Sequence, residues 1–176
     1  MDVWREFEHN TITHSGAHYL MTIRKLIDDQ GYARVSDVAR YLHITPGSAS
    51  IMLKSLKEKG YLKEDRNRFL RLSEDGEQLA QAVRSHRQII ITLLRDVLKM
   101  NAESAEIDAC KIEHLISIDA GERLLMFLQA LLADDPKSKA FLEMHWSGNL
   151  AGCPQPPVCP ICEETKECLS VRVEPA

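Results

Sequence analysis

The segment RVSDVARYLHITPGSASIMLKSLKEKGYL, from Arg34 to Leu62, restricts the fold more than any other part of the chain. Ser36 can cap a short helix over residues 37–42, and a tight turn follows. Thr45 is a good N-cap, and Pro46 suits the first position of a second helix, where its missing N–H is no loss. An i, i+3, i+4, i+7 spacing predicts that this helix buries Ala49, Met52, Leu53 and Leu56. Gly60 is placed to end it, so the segment predicts two helices joined by a tight turn.

The opposite face of the second helix carries small and hydroxyl residues at its start and lysines behind them. Small side chains let a helix approach a DNA groove closely, while lysines meet phosphates. The next segment, YLKEDRNRFLRLSEDG, predicts a β-hairpin with arginines around its turn. A helix-turn-helix followed by a basic wing indicates DNA binding, whereas the alternative is a surface helical pair with solvated charges. The candidate DNA-contacting residues are Ser36, Thr45, Gly47, Ser48, Ser50, Ile51, Lys54, Arg66 and Arg68.

Charge is distributed unevenly along the 176 residues, whose formal net charge is -4. Between Arg34 and Arg71 there are nine Lys and Arg against four Asp and Glu, whereas residues 101–176 carry six against thirteen. The negative total argues against indiscriminate coating of nucleic acid, and the basic middle predicts one face for DNA phosphates. The N-terminus resembles no signal peptide, and no stretch approaches the roughly 20 apolar residues of a membrane span. We therefore expect a cytoplasmic protein with no membrane partner.

Apolar periodicity predicts further helices on both sides of this segment. AHYLMTIRKLID places its apolar residues on one stripe and ends at Gly31. VRSHRQIIITLLRDVL, DACKIEHLI and GERLLMFLQALL each predict another helix, and Pro136 ends the last of them or lies just past it. Five of the seven prolines lie beyond residue 150, where the composition will not build a core alone.

The segment DACKIEHL, residues 108–115, gathers a thiolate, a carboxylate and an imidazole. Residues at i, i+3 and i+4 of a helix project to one side, so Cys110, Glu113 and His114 can converge on one ion. Taken alone, a single Cys on a helix is more often a small core residue, and a Glu-His pair is more often solvated. The segment therefore indicates a metal site only in combination with the rest of the chain.

In combination, the chain resembles the diphtheria-toxin-repressor (DtxR/MntR) family of metal-dependent transcriptional regulators. The resemblance covers roughly His18 to Leu132 and is carried by GYARVSDVARYLHITPGSASIMLKSLKEKGYL, RLSEDGEQLAQAVRSHR and DACKIEHLIS. It implies a homodimer whose helices after the wing pair with each other, with Fe(II), Mn(II) or a related ion as co-repressor. The predicted fold class is mostly α: an N-terminal winged helix-turn-helix domain (1–75), a helical metal-binding and dimerisation domain (76–140), and a Cys-rich C-terminal tail (141–176).

The resemblance also implies a ligand set. Cys110, Glu113 and His114 match the primary metal ligands, and His86 matches a histidine of the neighbouring metal position. His18 falls where the family supplies a ligand from the first helix. These five residues are the predicted metal ligands of the helical part of the chain.

Departures from the family pattern are informative. Ile90 and Met21 stand where family members place carboxylates, which argues against a two-metal centre with the standard ligands. Glu106 falls near a ligand position of iron-type members and is a candidate for compensation. His14 lies four residues before His18 and can add a ligand if the first helix begins early enough.

The donor set predicts both an ion and a function. Two histidines, a cysteine and a glutamate form a softer set than an all-oxygen cage and favour Fe(II), Co(II) or Zn(II) over Mn(II) or Mg(II). An ion held by the first helix and by residues 110–114 would fix the separation of two recognition helices. We therefore expect a metal-dependent, iron-responsive repressor that binds a palindromic double-stranded DNA operator as a homodimer. Fe(II) is favoured, and Mn(II), Co(II) and Zn(II) stay as alternatives.

Cysteines beyond residue 150 predict a further site. Cys153, Cys159, Cys162 and Cys168 have the spacing C-x5-C-x2-C-x5-C. Clustered cysteines in a reducing compartment indicate metal rather than disulfides, and thiolate quartets hold Zn(II) or Fe–S clusters. Three interpretations stay open: a structural Zn(II) site, an Fe–S cluster and a redox-switching thiol set. The alternative function is accordingly an Fe–S or thiol redox-responsive winged-helix regulator that senses through these cysteines.

Two other classes of protein fit the sequence less well. An enzyme is not expected, because there is no nucleophile elbow, phosphate loop or H-E-x-x-H motif, and we predict no catalytic residue and no small organic substrate. A haem-responsive regulator is the other alternative, since Cys153 and Cys159 each precede a proline and could present a thiolate to haem.

Overall fold

The computed structural model describes residues 12–147 and residue 164. The chain divides into two compact units, residues 1–130 and 131–176. The elements are α1 (His14–Gln30), α2 (Val35–Tyr41), α3 (Pro46–Glu58), β1 (Leu62–Glu64), β2 (Leu70–Leu72), α4 (Glu74–Ile91), a π-helical segment (Thr92–Val97), α5 (Ala102–Ile112), α6 (Ile118–Leu131) and α7 (Pro136–Ser147). The prediction of a mostly α chain with an N-terminal winged helix-turn-helix is confirmed. None of the described helices is long and apolar enough to cross a membrane.

Helix α1 begins earlier than its apolar stripe suggests. The hydroxyl oxygen of Thr13 accepts a hydrogen bond from the Gly16 N–H at 3.2 Å, which caps the first turn. The helix ends at Gly31, whose φ of +82° is a left-handed conformation that glycine adopts without strain. Leu20 and Ile23 are fully buried on the predicted stripe. The early start places three additional residues, from His14 onward, on the helix.

Helix α2 is capped differently from the prediction. It begins at Val35, so Ser36 lies inside the first turn and is exposed rather than acting as the N-cap. Arg34 is the N-cap, and Asp37, at the third helical position, accepts the Arg34 backbone N–H at 3.1 Å. The prediction of a Ser36 cap is therefore wrong, although Val38 is buried as expected.

The turn and the second helix follow the predicted pattern. His43 adopts a positive φ of 55° between α2 and α3. Thr45 caps α3 by accepting the Ser48 N–H at 3.1 Å, and Pro46 occupies the first helical turn. Gly60, at φ +83°, donates its N–H to the Lys57 carbonyl at 3.0 Å and lets the chain leave the helix. The buried face of α3 consists of Ala49, Leu53 and Leu56, with Met52 partly buried beside them.

Strands β1 and β2 form the predicted hairpin. They pair antiparallel with Leu62 opposite Leu72. The Leu70 N–H donates to the Ala33 carbonyl at 2.8 Å, which ties the wing to the segment before α2. The guanidinium of Arg34 lies 4.6 Å from the ring centre of Phe69, a cation–π contact that also holds the wing against this segment.

Helix α4 connects two apolar clusters. Its N-terminal half packs with α1, α2, α3 and the wing in the main core. Close approach at the start of the helix requires Gly76, since a Cβ there would lie 2.1 Å from the Tyr61 carbonyl oxygen. Its C-terminal end contributes Ile90 and Ile91 to a second cluster with Ala109 of α5. Helix α4 thus joins the DNA-reading part of the chain to α5.

Helix α7 belongs to the second compact unit. Pro136 lies past the end of α6 and opens α7, and Leu142 is buried. The predicted boundary between helical domain and tail, at residue 140, falls inside α7.

Two neighbouring residues of α3 test this fold. We expect Leu53→Ala to lower the free energy of unfolding by about 2–5 kcal/mol, because Leu53 is 1% exposed and truncation leaves a cavity. Ile51→Ala, at a position that is 75% exposed, should change it by less than about 0.5 kcal/mol. Urea denaturation followed by circular dichroism measures both, and equal losses in the two variants would contradict the orientation of α3.

Candidate metal centre

Three side chains from two helices meet at one point. The Nε2 atom of His18 lies 3.2 Å from the Sγ atom of Cys110, and His14 Nε2 lies 4.0 Å from the same sulfur. Ligand atoms of the three residues all lie within 4.8 Å of one another. His14 and His18 are four residues apart on the first turns of α1, and Cys110 is in the last turn of α5. A single ion at this point would therefore be shared between α1 and α5.

Two further candidates border this group. The ring of His114 packs 4.9 Å from that of His14, centre to centre, and its Nδ1 atom is buried without a hydrogen-bond partner among the described residues. Glu113 is fully buried, and its Oε1 atom likewise has no partner there. An unsatisfied buried polar atom costs about 1–3 kcal/mol. Two imidazole nitrogens and a sulfur form a donor set that fits a divalent transition metal, and two unpaired buried polar atoms lie on residues bordering it.

The chain geometry around residue 113 differs from the single helix that the sequence suggests. Helix α5 ends at Ile112, with Glu113 as its C-cap. The Leu115 N–H then donates to the Ile112 carbonyl at 2.8 Å, which tightens the last turn. His114 consequently lies in a turn, not on the same regular helix as Cys110.

Burial sets the protonation of the histidines. Desolvation, followed by the charges of His14, Arg87 and His114, lowers the pKa of His18 from its ordinary value. Burial and then His14 lower the pKa of His114 in the same direction. Lowered pKa values favour neutral imidazoles, the form that binds metal. Burial raises the pKa of Glu113, and the nearby Arg87 opposes that rise.

Arg87 hydrogen-bonds two carboxylates that are candidates for metal ligation. Its Nη1 atom donates to Glu113 Oε2 at 3.2 Å, and its Nη2 atom donates to Glu106 Oε2 at 2.8 Å. The sequence interpretation did not include Arg87; its only signal was its position one residue after His86. Glu106, a candidate for metal ligation, is therefore in an ion pair.

His86 lies outside the group of three. Its Nδ1–H donates to the backbone carbonyl of Glu113 at 3.1 Å. Its Nε2 atom faces α6, where a Cβ added at Gly121 would lie only 2.4 Å away. One ring nitrogen is thus hydrogen-bonded to the end of α5, and the other packs against α6. Ile90 is buried in the apolar cluster, and Met21 packs against the main core.

The predicted DNA-contacting residues form an exposed surface. Gly47, Ser48, Ser50, Ile51 and Lys54 are all exposed along α3. Thr45 and Ser36 are exposed near the starts of α3 and α2, and Arg66 and Arg68 are exposed in the wing turn. An open groove of about 490 Å³ runs between α1 and α3 and is lined by His14, His18, Ser48 and Ile51, among others. The face of α1 that carries His14 and His18 therefore adjoins α3.

Cys153, Cys159, Cys162 and Cys168 lie outside the described residues.

Comparison with known families accounts for most of the described chain. Residues 11–70 match the family "Iron dependent repressor, N-terminal DNA binding domain". Residues 73–140 match "Iron dependent repressor, metal binding and dimerisation domain". A DNA-reading half followed by a metal-binding half defines the class, a metal-dependent transcriptional repressor.

Individual relatives are transcriptional regulators as well. The HTH-type transcriptional regulator MntR of Geobacillus thermodenitrificans (strain NG80-2) is 31% identical over 128 residues, 73% of this chain and 90% of the relative. MntR of Shouchella clausii (strain KSM-K16) is 36% identical over 115 residues, 64% and 78% of the two chains. The crystal structure of the metal-dependent transcriptional regulator MtsR superposes with a TM-score of 0.60 at 22% identity. It shares the fold over 67% of this chain, which spans about half (55%) of MtsR.

The chain belongs to the iron-dependent repressor family, the DtxR/MntR regulators. The resemblance inferred from the sequence is thereby confirmed. Since these relatives are DNA-binding regulators, the chain is a regulator and not an enzyme.

Two histidine variants separate ligation from packing. We expect His18→Ala to weaken Co(II) binding by at least about tenfold, since losing even an outer-shell partner of a metal costs roughly 10–100-fold. His86→Ala should leave Co(II) affinity nearly unchanged and lower the free energy of unfolding of the metal-free protein by about 1–3 kcal/mol. Isothermal titration calorimetry and urea denaturation measure the two effects. The reverse pattern would place the ligand on α4 instead of α1.

Proposed function

We propose that this chain is an iron-responsive repressor that binds a palindromic operator as a homodimer when Fe(II) is held by His14, His18 and Cys110. Glu113 and His114 are the residues nearest to complete the ligand sphere. The observation that carries the proposal is the division of the donors between α1 and α5. When bound, the ion supplies bonds that cross-link these two helices. Two imidazoles and a thiolate support Fe(II), Co(II) or Zn(II) over Mn(II).

Packing of α1 supports a link between the metal centre and the DNA-reading surface. Its apolar face lies in the same core as Leu53 and Leu56 of α3, and it packs against α2, β2 and α4. The placement of α1 relative to α5 therefore also fixes where α3 points. Operators with two half-sites require recognition helices about 34–36 Å apart. A change in the placement of α1 relative to α5 therefore alters how well the two recognition helices fit the operator. Metal-free chains would populate spacings that miss the operator.

Exposed apolar residues on α6 support the homodimer. Ile118, Leu125, Met126 and Phe127 are between 41% and 68% exposed. Soluble proteins rarely leave large clustered apolar surfaces in water, and such patches commonly mark interfaces. A second copy of the chain is the partner that the dimerisation role of this family requires.

The tail cysteines support a separate proposal, confined to the tail. The C-x5-C-x2-C-x5-C spacing of Cys153, Cys159, Cys162 and Cys168 suits a structural Zn(II) site or an Fe–S cluster. An absorption spectrum of protein purified without oxygen distinguishes them, because a brown protein contains a cluster and a colourless one does not.

Operator binding tests the regulatory proposal. We expect removal of Fe(II) by a chelator to weaken operator binding of the wild-type chain by about 5- to 150-fold, the usual size of a coupling between two sites. His18→Ala should bind weakly with and without Fe(II), while His145→Ala, at an exposed position on α7, should respond like the wild type. Fluorescence anisotropy under anaerobic conditions measures these affinities. Equally tight binding with and without chelator would exclude the proposed control.

Subunit association tests the proposed interface. We expect the Met126→Glu/Phe127→Glu double variant to sediment as a monomer where the wild type sediments as a dimer, because four carboxylates would meet across the symmetric contact. Glu122→Ala, at another exposed position of α6, is the control and should remain dimeric. A double variant with wild-type mass in analytical ultracentrifugation would place the interface elsewhere.

A further inference from the structure

Arg87 lies where the negative side chains of the metal centre converge. Its guanidinium hydrogen-bonds Glu113 at 3.2 Å and Glu106 at 2.8 Å. Glu113 comes from the end of α5 and is fully buried, so Arg87 is the cation that compensates a buried carboxylate there. One fixed positive charge therefore contacts two carboxylates that are candidate metal ligands.

These contacts compete with a metal ion for the same atoms. A carboxylate oxygen that accepts a short charge-assisted hydrogen bond from a guanidinium has given one of its lone pairs to that bond. A guanidinium also stays protonated in proteins, so it repels any cation brought next to it. A second ion bound through Glu106 Oε2 and Glu113 Oε2 would have to displace Arg87 from both atoms.

Of the described side chains, His86 and Ile90 flank Arg87 on α4, and neither adds a ligand beside Glu106 and Glu113. His86, one residue earlier on α4, engages one nitrogen with the Glu113 carbonyl and packs the other against Gly121. Ile90, nearly one turn further along, is apolar and buried. The opposite side of Cys110 differs, because His14 and His18 there carry nitrogens that approach the sulfur directly.

We propose that the Arg87 guanidinium takes the place of a second metal ion, so that each chain binds a single ion, at His14, His18 and Cys110. The proposal rests on the metal site of the proposed function and specifies its stoichiometry. Arg87 is a positioning residue: it fixes the Glu113 and Glu106 carboxylates and supplies the positive charge that a second ion would otherwise bring. The regulatory signal would then depend on one binding event per subunit.

Counting bound Co(II) tests this directly. The full-length chain with Cys153, Cys159, Cys162 and Cys168 replaced by Ser retains Cys110 as its only thiol. Anaerobic titration of that protein with Co(II) then reports the Cys110 site through thiolate-to-cobalt absorption, and elemental analysis after desalting gives the stoichiometry. We expect one equivalent per chain. In the same background, Arg87→Ala should bind two, because the freed Glu106 and Glu113 carboxylates and the Cys110 thiolate become available to a second ion.

Three further variants serve as controls. Arg87→Lys keeps the charge and should stay at one equivalent. Arg84→Ala removes an exposed arginine one turn earlier on α4 and should also stay at one. Arg87→Ala/Glu106→Gln removes a ligand of the second ion and should return to one. Should Arg87→Ala fail to fold, Arg87→Gln removes the charge while keeping an amide next to Glu113, and it should bind two.

The possible outcomes separate this inference from the proposed function. Two equivalents in the Cys→Ser chain that keeps Arg87, or one in a folded variant of it without charge at position 87, would overturn the role of Arg87 and leave metal-dependent repression intact. No bound Co(II) in the Cys→Ser chain that keeps Arg87 would overturn both.

Discussion

The approach of His18 to the Cys110 sulfur is the contact on which the functional arrangement depends. It joins α1, whose apolar face lies in the DNA-reading core, to α5, which packs in a separate cluster with Ile90 and Ile91. Neither helix holds a complete set of ligands by itself. The site therefore exists only when α1 and α5 have the correct relative placement, and that condition is what allows metal binding to influence DNA binding.

The charges around the candidate metal centre differ between its α1 side and its α4 side. On the α1 side, burial lowers the pKa of His18, which favours the neutral imidazole that a metal needs. On the α4 side, Arg87 compensates the buried Glu113 and pairs with Glu106. Glu113 Oε1 and His114 Nδ1 are buried without hydrogen-bond partners among the described residues. A site built this way already contains the positive charge of Arg87, which limits how much further positive charge it can bind.

Local sequence rules predicted the DNA-reading part well. The Thr45 cap, Pro46 at the helix start and left-handed Gly60 depend on interactions within a few residues, and all three take their predicted roles. Ser36 was misassigned because Arg34 is the N-cap, and Asp37 accepts the Arg34 N–H. Capping is local but not unique, so a neighbouring residue can take the role.

The metal centre was predicted less completely, because its geometry depends on contacts far apart in sequence. His14 joins the group only because Thr13 starts α1 early, a signal that TITHSG contained. His86 is diverted by Gly121, 35 residues further along, whose missing side chain admits the imidazole. The bond from Arg87 to Glu113 likewise spans a separation of 26 residues. Spacing along one helix indicates which residues can share a face, but not what the facing helix brings to it.

The contacts of α1 with α3 differ in kind from its contacts with α5. This difference explains how the metal centre can act as a switch. Within the DNA-reading core, Leu20, Ile23 and Leu53 are almost fully buried, so α1 and α3 move together. Between α1 and α5, by contrast, the described contacts are made by imidazole and thiol side chains. Apolar packing strongly disfavours a shift inside the core, whereas the free energy of the α1–α5 contact depends on what the polar groups bind. A ligand that bonds these groups therefore acts on the one junction where its binding energy can change the arrangement of the whole domain.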